Sequence, residues 1–205
     1  MDGLLTDTET LHIRAYQQTL KHFGYELSEK GYVDHWIRDG LGIAEYVKEH
    51  NLSMNPDKVR DYKMEIFWER LLSDLQAMPY AHEFLENMHG NFRLLLASNS
   101  YQKNVEAIIK NLQMSHFFEM CAFKESVTVT KPAPDIFLYL TNNLQIDPTE
   151  CVVIEDAEKG IRAAHSAGMK SIAVPNQYTA DNDFSLADRI VTSLKDITIE
   201  MITYL

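Results

Sequence analysis

From Pro79 onward, short apolar runs alternate with amphipathic stretches. FRLLLAS (92–98) predicts a buried strand, VEAIIKNL (105–112) a helix and MCAF (120–123) a second short strand. PDIFLYLTNNL (134–144) predicts a helix with Pro134 in its first turn. CVVIED (151–156) is a strand pattern, AEKGIRAAHSAG (157–168) a helix closed by Gly168, and KSIAVP (170–175) a further strand. Strands and helices in alternation predict a parallel sheet covered by helices on both faces. Upstream of Pro79 the period is helical. Ile13, Tyr16, Leu20 and Phe23 fall on one face, with Gly24 as the stop. VRDYKMEIFWERLL places Val59, Tyr62, Ile66 and Leu72 near one stripe, and no strand pattern interrupts the region. The expected architecture is α/β: a Rossmann-like parallel sheet from residues 1–10 and 79–205, with a small all-helical domain, 11–78, inserted near the N-terminus.

Composition narrows the function. The chain has 205 residues, 45% hydrophobic and 24% charged, which suits a soluble core. Its formal net charge of −11 repels phosphate backbones, so neither nucleic acid nor an anionic membrane is expected as the main partner. A small phosphorylated ligand remains compatible, because one site can be positive on a negative protein. The two cysteines, Cys121 and Cys151, form no disulfide or zinc pattern. No apolar run approaches the ~20 residues of a membrane span, and no basic-then-apolar leader opens the chain. A reducing, cytoplasmic compartment is the expectation. No GlyxGlyxxGly follows any strand, which disfavours a dinucleotide-binding dehydrogenase.

In parallel α/β sheets, ligands bind beyond the carboxyl ends of the strands, so the residues ending each strand matter most. LLLA ends in Ser98-Asn99-Ser100, CVVI ends in Glu155-Asp156, and MCAF leads to Lys131-Pro132. The opening MDGLLTDTE looks like the loop after a strand, with Asp2 at its start. Carboxylates gathered there would suit Mg²⁺, a hard cation that takes oxygen ligands; the same acidic pair would equally serve to cap the next helix. Ser98 and Asn99 stand where backbone N–H groups meet anions, or where they merely cap. Lys131 would neutralise phosphate charge, or lie solvated at the surface.

Asp2-Gly3-(x)3-Asp7-Thr8-Glu9, LLLASNS, KPAPDIF and VVIEDAEKGIRAAHSAGM, in that order, resemble the four motifs of the haloacid dehalogenase-like phosphatase superfamily, and most closely its β-phosphoglucomutase-like branch. The resemblance runs from Met1 to about Pro175. It implies that the helical insert is a cap and that the protein is a Mg²⁺-dependent phosphatase acting on a small phosphorylated metabolite, a sugar phosphate above all, through an aspartyl-phosphate intermediate. It further implies that Asp2 is the acid that protonates the leaving group and then activates water, with its backbone carbonyl facing the metal. Ser98 would bond the transferring phosphoryl group with Asn99 beside it, Lys131 would hold nucleophile and phosphate together, and Asp156 with Glu155 would hold Mg²⁺. His12, Arg38 and Lys48 are candidate cap contacts to substrate; each is equally readable as a surface residue. A phosphomutase on the same core is the alternative enzyme. A monomer or weak dimer is expected.

The resemblance also sets the attacking aspartate two residues before Asp2, one position ahead of Met1, at the end of an apolar strand in mid-sheet. The expectation is that the true start lies upstream. A catalytically inactive binding protein on the same fold is the alternative if the chain starts at Met1, and a modified residue interrupting the chain is a third reading. Without that strand the sheet is expected to carry an unpaired gap or edge. Two lesser departures, Thr130 before the lysine and Tyr80 where relatives often carry glycine, are expected to have little effect.

Overall fold

A carboxylate starts the first helix. Asp7 accepts a hydrogen bond from the Thr10 N–H at 3.2 Å and so caps α1, Thr8–His22. The computed structural model describes residues 1–38 and 41–205. It divides the chain into two units: Asp7–Leu75, and Met1–Thr6 together with Gln76–Leu205. The divisions fall a few residues ahead of those expected from the pattern.

Among its described residues the first unit is helical. After α1 come α2, Glu29–Tyr32, running into a π-helical turn at Val33–Arg38, then α3, Ile43–Glu49, and α4, Pro56–Ser73. Asn55 caps α4 by accepting from the N–H groups of Asp57 and Lys58, and Pro56 stands at its first position. Helices α1 and α4 pack along each other, burying Leu11, Ala15 and Leu20 against Val59, Ile66, Phe67 and Leu71. The expected stripe erred at one residue. Leu72 is 73% exposed, because a 3.6-residue period carries the buried line through Leu71.

The second unit holds α5 (Ala81–Met88), β1 (Leu95–Ala97), α6 (Gln102–Asn111), β2 (Met120–Ala122) and α7 (Asp135–Leu144). It continues with β3 (Val152–Glu155), α8 (Glu158–Ser166), β4 (Lys170–Ala173), β5 (Arg189–Ile190) and α9 (Ile199–Thr203). Pairing among β1 to β5 is parallel, as the alternation requires, and an isolated antiparallel bridge joins Thr6 to Ala77. β1 pairs β2 from Leu95↔Met120 to Ala97↔Ala122, while β3 pairs β4 from Val152↔Lys170 to Glu155↔Ala173, and β4 pairs β5. These are two separate ladders, β1-β2 and β3-β4-β5. Between them lies a cavity of about 730 Å³ whose walls include Leu95, Leu96, Val153 and Ile154. The core packs Ile136, Phe137 and Leu140 of α7 against Ala122, Val153 and the small residues Ala163 and Ala164 of α8.

Strand β5 went unread because Arg189 and Ile190 are both exposed and form no apolar run. Tyr80, at the start of α5, has φ +65°, a left-handed conformation that a side-chain-bearing residue adopts at a cost of about 1–3 kcal/mol. A glycine would take it freely, so this position carries more strain than the sequence suggested.

Candidate functional site

The loop Met1–Thr6 is a closed turn. Its hydrogen bonds run from Gly3 N–H to Thr6 O at 2.9 Å and from Leu5 N–H to Met1 O at 2.8 Å. The Asp2 carboxylate is thereby held beside the end of β1. Both Ser98 Oγ, at 3.2 Å, and Ser100 Oγ, at 3.1 Å, donate to Asp2 Oδ2. Ser98 Oγ also accepts from the Ser100 N–H at 3.0 Å, which fixes the serine pair. Ser100 lies inside the motif read from the sequence but was given no role there.

Lys131 is buried among polar partners. Its Nζ donates to Ala97 O at 2.9 Å and to Glu155 Oε1 at 2.5 Å, and lies 4.8 Å from the centre of the Phe137 ring. Burial pushes the Glu155 carboxyl up, but the charge and hydrogen bond of Lys131, together with other nearby cations, hold it below its usual range. One oxygen of Glu155 is thus engaged by Lys131. Asn99 also meets the lysine, through the lysine's backbone. Its Oδ1 accepts from the Lys131 N–H and its Nδ2 donates to Lys131 O, each at 3.1 Å, so it brackets the lysine's backbone.

Asp156 is buried and its carboxyl is pushed up to about 7, first by burial and then by the Glu155 carboxylate. Asp156 Oδ2 accepts from Asn176 Nδ2 at 2.9 Å, and the same amide nitrogen donates to Gly3 O at 3.0 Å. Two glycines make this possible. A Cβ at Gly3, whose φ is +74°, would stand 2.3 Å from Asp156 Oδ2. A Cβ at Gly160 in α8 would stand 2.2 Å from Glu155 Cδ. Gly160→Ala is expected to destabilise the protein by about 1–3 kcal/mol, as overpacking does, because Glu155 has no room to retreat without leaving Lys131; urea unfolding measures it.

The structure thus links Asp2, Ser98, Lys131, Glu155 and Asp156 at one edge of the unit. His12, Arg38 and Lys48 belong to the helical unit. There His12 stacks on Phe67 at 4.3 Å, and its Nδ1 accepts from Lys63 Nζ at 2.6 Å. Lys63, inside the VRDYKMEIFWERLL stretch, is buried, and desolvation pushes its ammonium down to about 8 against the pull of Glu9. Arg38 is exposed and pairs with Asp34 at 3.0 Å. The two residues that follow Arg38, Asp39 and Gly40, lie outside the described residues.

Among the described residues, no group of three or more His, Cys, Asp or Glu side chains converges on a point. Magnesium asks for less: one or two carboxylates, with waters and substrate phosphate completing the shell. Buried Asp156, crowded by other carboxylates and held back from ionising, fits a site that a divalent cation relieves.

The family model for haloacid dehalogenase-like hydrolases matches residues 1–174. The chain belongs to that family. It is 30% identical over 175 residues to the fructose-1-phosphate phosphatase YqaB of Escherichia coli, covering 85% of this chain and 93% of that protein. A phosphorylated carbohydrates phosphatase of Thermotoga maritima is 30% identical over 177 residues, 84% of this chain and 81% of its own. Among solved structures, CbbY from Rhodobacter sphaeroides in complex with phosphate superposes with a TM-score of 0.78 at 25% identity, covering 95% of this chain and 92% of that one.

Proposed function

We propose that this protein is a Mg²⁺-dependent phosphatase of small phosphorylated metabolites, with sugar phosphates as the favoured class. One observation carries the reading most: a carboxylate, Asp2, oriented by two serine hydroxyls, shares an edge with a buried lysine and with Asp156. Two relatives act on phosphorylated sugars by name, and a solved relative holds phosphate, which supports the substrate class.

In this reading the phosphoryl group passes to an attacking carboxylate and through an aspartyl phosphate. Asp2 gives a proton to the leaving oxygen and afterwards takes one from the water that releases phosphate. With substrate bound, Ser98 turns its one hydroxyl hydrogen from Asp2, which Ser100 still bonds, to a phosphoryl oxygen. The Lys131 ammonium, aimed by Glu155 and Asn99, offsets charge gathering on the transferring group. Asp156 and the Asp2 backbone carbonyl would hold Mg²⁺, which when bound supplies further neutralisation of the phosphate oxygens. We read the protein as a cytoplasmic monomer or weak dimer, and its acidity speaks against nucleic acid or an anionic membrane as partner.

The test is phosphate release from p-nitrophenyl phosphate and a sugar phosphate panel, with Mg²⁺ and with chelator. It compares the chain as it stands with one carrying an apolar strand and aspartate ahead of Met1. The extended chain is expected to hydrolyse these esters only with Mg²⁺, and Asp2→Asn within it to lower the rate by ~10²–10⁴. Inertness of the extended chain overturns the reading and favours a binding role. Conversion of hexose 1-phosphate to hexose 6-phosphate without free phosphate favours the mutase.

A further inference from the structure

One polar side chain at this edge has no role in the proposal above. Asn176 follows Pro175, just past the end of β4, and its amide is fully engaged. Nδ2 donates one hydrogen to Asp156 Oδ2 at 2.9 Å and the other to Gly3 O at 3.0 Å. Oδ1 accepts from the Tyr178 N–H at 2.8 Å. That pattern fixes the amide's orientation, since the flipped form would set its oxygen against a carboxylate and a carbonyl. The turn beneath is closed as well. Asn176 N–H donates to Thr179 Oγ1 at 3.0 Å, the Thr179 N–H donates to Asn176 O at 3.1 Å, and Thr179 is buried.

We infer that Asn176 is a positioning residue that holds the Asp156 carboxylate at one rotation for a divalent cation and ties it to the Asp2-Gly3 turn. This rests on the Mg²⁺ reading given above. With Oδ2 tethered, Asp156 cannot turn about its last side-chain bond, so its other oxygen keeps one direction. The tether to Gly3 O fixes the distance between that carboxylate and the loop carrying Asp2. The approach is tight: a Cβ on residue 3 would stand 2.7 Å from Asn176 Nδ2, so the junction closes only around a glycine. Residues hydrogen-bonded to a metal-ligating carboxylate typically govern metal affinity by ~10–100-fold.

Calorimetric titration of Mg²⁺ alone, at pH 8, tests this on the folded protein and three variants. Asn176→Ala is expected to weaken Mg²⁺ binding ~10-fold or more. Asn176→Ser retains a hydroxyl able to accept from the backbone two residues on, so the turn survives, but it is too short to reach Gly3 and Asp156. It is expected to show the same loss, and it answers the question if the alanine variant melts. Thr179→Val disturbs the turn without touching Asp156 and is expected to bind Mg²⁺ within about twofold of the unaltered protein, far short of the loss assigned to the amide. Unchanged affinity in a folded Asn176→Ser, or an equal loss in Thr179→Val, overturns the inference while leaving the phosphatase reading in place. Absence of Mg²⁺ binding by the unaltered protein defeats both.

Discussion

Asp156→Asn is expected to stabilise the fold and to end Mg²⁺ binding and Mg²⁺-dependent phosphate release together. Folding raises this carboxyl from its ordinary 3.8 to about 7, through burial first and the Glu155 carboxylate second. A group raised in this way binds its proton more tightly when folded. Its stabilising contribution is complete below the unfolded value and is lost as pH rises through the folded one. Above pH 7 the native state therefore holds a costly anion, which asparagine removes. At 1.36 kcal/mol per pKa unit, the gain is on the order of 4 kcal/mol at pH 8 and somewhat under half that at pH 5. Urea unfolding at the two pH values measures it, and a variant less stable than its parent at pH 8 refutes the assignment. The rise in Tm that Mg²⁺ gives the parent is expected to vanish in the variant, because the cation then has no carboxylate to relieve.

Lys131→Met is expected to be the most damaging single change at the site. It removes the ammonium from a buried pair and leaves Glu155 charged, with Ala97 O also losing a donor. Breaking such a pair on one side costs about 3–5 kcal/mol. The loss should shrink toward low pH, because Glu155 deprived of its lysine rises above its usual range and takes up a proton instead. Lys131→Met combined with Glu155→Gln is expected to recover most of the stability and none of the activity, which separates the structural cost from the chemical one. In the extended chain the rate should fall ~10²–10³-fold, as for other losses of preorganised charge stabilisation. A single variant as stable as its parent at pH 8 contradicts the buried pair.

The alternation of apolar runs made the parallel strands and their helices legible, because strands buried on both faces leave continuous runs such as LLLA and CVVI. Strand β5 left no such mark, being short and exposed. The motif residues were legible in type and order but not in their partners. Glu155 and Asp156 are adjacent in the chain, yet one meets a lysine from a distant loop and the other an asparagine beyond β4. Adjacency in sequence cannot show that division, since successive residues of a strand point to opposite faces. The rule that sheet ligands gather past the strand ends would have reached Asn176 had it been carried one residue beyond KSIAVP. Lys63 was hidden for another reason. A lysine on an amphipathic helix reads as solvated, and only packing reveals that aromatic rings enclose it.

The two ladders share no strand pairing, yet the candidate chemistry draws on both. A single ammonium spans the division, bonding the carbonyl at the end of β1 and the carboxylate at the end of β3. Lys131 is thus a cross-brace between the ends of β1 and β3, an electrostatic strut buried at this edge. Raised ionic strength reaches such a buried strut only weakly, so the spacing of the two strand ends should tolerate salt far better than a surface-held edge would.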